Sequence, residues 1–188
     1  MKRPFPIPAV SINVLFIVAS MGLLTISFPR TGFWGCAFFC LIPLFLAIER
    51  SDTLVKGLIA GITWAVCFTA LMGDWLFVAL VSHYGVSIHT SLLFVGLFVL
   101  FPVTVIDLAF ILLYRTFRGP SLLFYALVVP SLWVIVDYLK ARLSFLVPWG
   151  DIGYALVPFT NFVQIADITG VYGVSLFFRL SRYFRKSK

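Results

Sequence analysis

Charge is what this chain has least of. Only 11% of its 188 residues are charged, and the acids are fewest, with 7 aspartates and glutamates against 14 lysines and arginines. Glu49 is the sole glutamate. No long polar segment interrupts the sequence, so there is no stretch in which a second, water-soluble domain could fold, and residues 1–188 read as one domain. No internal repeat and no low-complexity linker divides it. Cysteine is equally sparse: Cys36 and Cys40 share a helix face within an apolar run, Cys67 stands apart, and none has a histidine nearby in sequence to activate it. The two histidines, His83 and His89, flank the loop "SHYGVSIH" at a spacing that suits no common metal-ligand pattern, so headgroup or loop hydrogen bonding is the better reading and no metal or cofactor is expected.

What remains is apolar. Sixty-two per cent of the residues are hydrophobic, 21 are phenylalanine and the mean hydropathy is +1.08, far above the composition of soluble domains. Crossing the hydrocarbon of a bilayer takes about 20 apolar residues as a helix, and backbone groups in lipid must pair internally. The runs between charges give about six candidate spans: 8–28, 33–48, 54–78, 88–114, 121–138 and 162–178, the last interrupted by Asp167, Gly170 and Gly173. The expected fold is therefore an all-α, polytopic transmembrane bundle of about six helices.

Lysine and arginine in the short loops orient such a bundle. With a cytoplasmic amino terminus, Lys2, Arg3, Arg50, Lys56, Arg115, Arg118, Arg179, Arg182, Arg185, Lys186 and Lys188 fall inside, while Arg30, Lys140 and Arg142 fall outside. The bias predicts an even number of spans, with both termini cytoplasmic. It also accounts for the net charge of +7 as contact with anionic headgroups, and a nucleic-acid role for the basic tail is not expected. The amino-terminal apolar run is long for a signal peptide and is followed by the turn "PRTG", which favours an uncleaved first span.

Ionisable groups inside a membrane are costly and mark function by default. Asp107 lies in the fourth span with no basic partner visible in sequence. Asp74 and Trp75 are expected at the outer surface, where Trp75 is an aromatic-belt residue and a candidate lipid or partner contact. Asp137 and Lys140, three apart near the end of the fifth span, share a helix face and are expected to pair as a structural ion pair. Beyond them comes "FLVPWGDIGYALVPF". Its prolines deny it a continuous helix and its glycines allow tight turns, while Trp149 and Tyr154 prefer the interfacial zone. It is expected to form an outer interfacial loop, walling a lipid route or seating another domain; a packed connecting loop is the plainer alternative.

The second half of the chain carries an ordered set of residues: Trp133, Asp137, Lys140, Pro148, Trp149, Gly153, Tyr154, Gln164, Ala166, Asp167, Gly170, Tyr172, Gly173 and Ser175. In this order and spacing the chain resembles the membrane region of bacterial apolipoprotein N-acyltransferases, and "SFPRTGFWGCAFFCLIPLFLAI" resembles that family's first hairpin. The family commonly places glutamate and arginine where Asp137 and Lys140 stand, and often a glutamine where Leu156 stands. The resemblance implies an inner-membrane protein whose partners are membrane phospholipid, a lipoprotein substrate and a nitrilase-like domain. It adds Gln164 and Tyr172 to Trp75, Trp149 and Tyr154 as candidate lipid or partner-domain contacts. The family moves a phospholipid acyl chain onto a cysteine, and then onto the amino group of a lipoprotein's diacylglyceryl-cysteine. A glutamate base and a lysine beside the oxyanion assist.

Here the residues after "YGVSLFF" turn charged at Arg179, and no Glu, Lys and Cys are expected to meet outside the membrane. The expectation is a membrane portion, truncated or split from its catalytic half and inactive alone. The alternative is a non-catalytic lipid-binding or scaffolding module working with a separate partner. A transporter using Asp107 is a third reading.

Overall fold

The computed structural model describes residues 9–28, 31–117, 128–143, 150–159, 164, 167, 168 and 170, and every regular element among them is helical. The first helix, α1 (Ala9–Ser27), turns Asn13, Ile17, Ser20, Met21, Leu24 and Ser27 into the core, while Leu15, Val18 and Ile26 on its other face are exposed. A helix apolar on all sides suits either a deep core or lipid. After a 3₁₀ turn at Trp34–Phe38 comes α2 (Leu41–Glu49), with Pro43 in its first turn, where a missing N–H costs nothing. The expected second span is thus a turn followed by a short helix. Ser20 Oγ donates to the Cys40 carbonyl and fastens α1 to α2.

Thr53 caps α3 (Leu54–Met72), its hydroxyl accepting from the Lys56 N–H at 3.3 Å. The helix stops earlier than the sequence predicts. Gly73 donates its N–H to the Thr69 carbonyl at 3.0 Å, and a Cβ there would lie 2.7 Å from the same oxygen, so a glycine is needed for this tight exit. The chain restarts as α4 (Asp74–Val78) and widens into a π turn at Ala79–His83. Gly85, at φ +66, then turns it into α5 (Ile88–Val95), which Ser87 caps. A second π turn, Gly96–Leu100, joins α5 to α6 (Phe101–Phe117) without a break. Pro102 explains the widening: its ring and missing N–H exclude a regular turn there, and a π bulge keeps the helix continuous.

Helix α7 (Val129–Leu143) runs five residues past the expected end of the fifth span. Helix α1 packs on α2 and α3, α3 on α6, and α6 on α7. Small residues let α3 and α6 approach: a Cβ on Gly61 would come within 2.8 Å of Ile111 Cδ1, and one on Gly57 within 3.2 Å of Arg115 Nη1. At that end the Tyr114 hydroxyl donates to the Glu49 carboxylate, and Arg115 Nη1 donates to the Ser51 carbonyl at 2.5 Å. Arg50 lies over the Phe16 ring. The cations expected on the cytoplasmic side thus tie the α2–α3 turn to α1 and α6.

Two helices among the described residues are long and apolar enough to cross a membrane, Leu54–Met72 and the continuous run Ile88–Phe117. The expected sixth span, the start of the fifth, and both basic termini lie largely or wholly outside the described residues.

Candidate functional site

Helix α7 builds one face from Trp133, Asp137 and Lys140, spaced so that all three point the same way, and all three are buried. Trp133 meets Trp64 of α3 edge-on at 5.7 Å, Phe110 of α6 at 5.2 Å and Phe45 of α2 at 6.3 Å, so four helices converge on one indole. Such edge-to-face contacts fix ring orientation as well as burying area. The aromatic centre therefore sets how α7 sits against α6.

That register delivers Lys140 to Asp107. The ammonium Nζ lies 2.7 Å from Asp107 Oδ1, with side chains only 8% and 5% exposed. The same ammonium stands 4.8 Å above the Phe68 ring and 5.8 Å from the Trp133 ring. Asp107's other oxygen is buried with no hydrogen-bond partner among the described residues. A cation and an acid removed from water hold together because neither can regain hydration in place.

Beyond α7 the chain returns at Gly150, where it lies hard against Phe68: a Cβ on this glycine would fall 2.2 Å from Phe68 Cε2. Asp151 is buried, and its carbonyl accepts the Tyr154 N–H at 3.0 Å to open the 3₁₀ turn Ile152–Leu156. Ile152, Ala155 and Leu156 plug the apolar core, whereas Val157 and Phe159 remain exposed. The Phe159 ring stacks on Trp34, centroids 5.3 Å apart and planes within 4°. Desolvation, and then the charge of Asp151, push the Tyr154 phenol above its ordinary pKa. The segment after Gly150 is thus a packed turn with an apolar rim. Leu156, where the resemblance anticipates glutamine, is fully buried and makes apolar contact in the core.

The residues singled out in the sequence fall in several places. Trp75 lies on α4 with its side chain partly exposed, and its backbone N–H donates to Asp74 Oδ1 at 2.8 Å. Tyr154 is half-buried on the 3₁₀ turn and Gln164 is exposed. Trp149 and Tyr172 lie outside the described residues. Asp137 and Lys140 share the buried face that their spacing predicts, and the contact across helices is from Lys140 to Asp107. Sequence reasoning left Asp107 without a partner. The signal that finds it is simple: a buried acid on one helix needs a buried cation, and Lys140 is a lysine in an apolar stretch later in the chain.

Comparison with known proteins agrees with the resemblance. Residues 20–182 match the family described as the apolipoprotein N-acyltransferase N-terminal domain. An apolipoprotein N-acyltransferase of Geobacter metallireducens is 33% identical over 174 residues, covering 90% of this chain and 32% of the relative. Enzymes of the same name from Pasteurella multocida and Vibrio cholerae are 24% and 27% identical, over 86% and 80% of this chain and 30% of each relative. The chain spans about a third of the length of these curated relatives.

Proposed function

The chain belongs to the apolipoprotein N-acyltransferase N-terminal domain family, and from that premise we propose that it forms the membrane-embedded platform of a lipoprotein N-acylating system. The observation that carries the reading is the outward apolar face of the Ile88–Phe117 run. Leu92, Leu93, Leu97 and Phe101 are each more than half exposed, which in water would be a large unpartnered apolar patch. Lipid is the partner such a face fits, and the bias of lysine and arginine supports about six spans with both termini on the cytoplasmic side of a bacterial inner membrane.

In this reading the chain holds phospholipid along its apolar sides and presents the 150–159 segment, with Tyr154 and the exposed Phe159, toward an acylating domain and a lipoprotein amino terminus. The acyl transfer step is assigned to residues other than those described. Glu49 accepts from Tyr114, and Cys40 is buried. Asp107 has a lysine partner, which removes the observation behind a transport reading, an acid standing alone in a span.

Two measurements on the 188-residue chain test the proposal. The protein is expected to stay in the membrane pellet after alkaline carbonate extraction, with reporter fusions at both ends reading cytoplasmic. Reconstituted with phospholipid and a diacylglyceryl-cysteine peptide, it is expected to leave the peptide's amino group free until the remaining part of a full-length relative is added. Extraction into the soluble fraction removes the membrane reading, and N-acylation by the chain alone removes the assignment of chemistry elsewhere.

A further inference from the structure

Three contacts in series join the buried ion pair to the 150–159 segment. Asp107 Oδ1 holds Lys140 Nζ at 2.7 Å, the ammonium rests 4.8 Å over Phe68, and Phe68 is the surface on which the Gly150 backbone lies with no room for a methyl group. At the far end of the segment Phe159 lies over Trp34, so the distance between these two positions reports where the segment sits. Asp107 thus reaches the segment through Lys140 and the Phe68 ring.

We propose that Asp107 and Lys140 are positioning residues: their ion pair pins the Phe68 ring, and the pinned ring sets the seat of the 150–159 segment against the bundle. A lysine stem is long and flexible, and its ammonium stays buried only while an acid neutralises it. Without Asp107 the ammonium is no longer drawn to its place above the ring, and Gly150 loses a fixed wall. The pair thereby couples the placement of an exposed turn to two charges buried on α6 and α7. This rests on the reading of 150–159 as a presenting segment, while the coupling itself is independent of acyl transfer.

Thiol crosslinking in native membranes tests it, on the full chain with Cys36→Ala, Cys40→Ala and Cys67→Ala as background. One cysteine pair, Trp34→Cys with Phe159→Cys, reports the seat of the segment. A second, Asn13→Cys with Ser51→Cys, replaces a side-chain contact of 3.4 Å between α1 and the α2–α3 turn and reports the bundle. A short bismaleimide is expected to link the first, exposed pair, and mild oxidation is expected to link the second, buried pair as a disulfide. With Asp107→Asn the first link is lost and the second kept, and the exchange Asp107→Lys with Lys140→Asp restores the first. A first link that persists in Asp107→Asn overturns the proposal. Loss of both links together, in the single variant and in the exchange, also overturns it, because it shows general support of the fold. Failure of the acyl-transfer assay leaves these outcomes intact, so the two readings fail separately.

Discussion

Lys140 of α7 and Asp107 of α6 form a buried ion pair at 2.7 Å although 33 positions separate them in the chain. Removing Lys140 strands Asp107, and breaking a buried pair typically costs about 3–5 kcal/mol. Lys140→Met is expected to destabilise the bundle by that order in detergent unfolding followed by tryptophan fluorescence. The double change Lys140→Met with Asp107→Leu is expected to recover most of the loss, because well-packed apolar residues replace such pairs at little cost. A double variant as unstable as the single one defeats the argument.

The exposed pair Lys56–Asp52 makes the contrast. It is as short, at 2.6 Å, but Asp52 is 68% exposed. The hydrogen bond from Lys56 holds the Asp52 carboxyl below its usual pKa of 3.8, so its small stabilisation is present above that value and fades as pH falls through the lowered one. Asp52→Asn is expected to leave the unfolding midpoint within experimental error at neutral pH.

Gly150 and Phe68 give a steric prediction. A methyl group 2.2 Å from Phe68 Cε2 forces the ring or the turn to move, and overpacking of this kind costs about 1–3 kcal/mol. Gly150→Ala is expected to fall in that range, and Phe68→Leu in the same chain to relieve part of it. The check is a double-mutant cycle, and strict additivity counts against direct contact.

Two helical glycines are expected to behave oppositely. Gly22 has open space where a Cβ would stand, so Gly22→Ala is expected to stabilise α1 by up to about 1 kcal/mol through helix propensity. Gly61 faces Ile111 and Leu108 of α6, so Gly61→Leu is expected to pry α3 from α6 and lower the unfolding midpoint.

Tyr114→Phe removes the hydroxyl that donates to the Glu49 carboxylate. Hydrogen bonds to charged groups contribute about 1.5–3 kcal/mol, and a loss of that size is expected in unfolding. Glu49→Gln keeps an acceptor and is expected to lose less.

The helical class and the long apolar runs were legible because composition and length carry them: Leu54–Met72 and Ile88–Phe117 start where the sequence places them. The breaks were less legible. Gly73 ends α3 through a backbone contact with Thr69, and nothing in a run of apolar residues announces it. Pro43 reads as a flaw within a span, yet it sits in a first turn where no N–H is required. Asp107 was legible as costly and illegible as paired, because pairing depends on the helix register set by Trp133 among Trp64, Phe45 and Phe110. The 150–159 segment shows the same limit. Its prolines and glycines announce a broken stretch, while the burial of Ile152, Ala155 and Leu156 follows from neighbours distant in sequence.

The π turn at Gly96–Leu100 keeps Ile88–Phe117 in one piece, a rod of 30 residues. At 1.5 Å per residue it is about 45 Å long, against roughly 30 Å of hydrocarbon. Even a 40° lean, the upper end of observed tilts, leaves a vertical reach of about 34 Å. Leaning cannot absorb the whole helix. In the membrane setting proposed above, one end would emerge among the headgroups, and had Pro102 snapped the rod there would be no such mast.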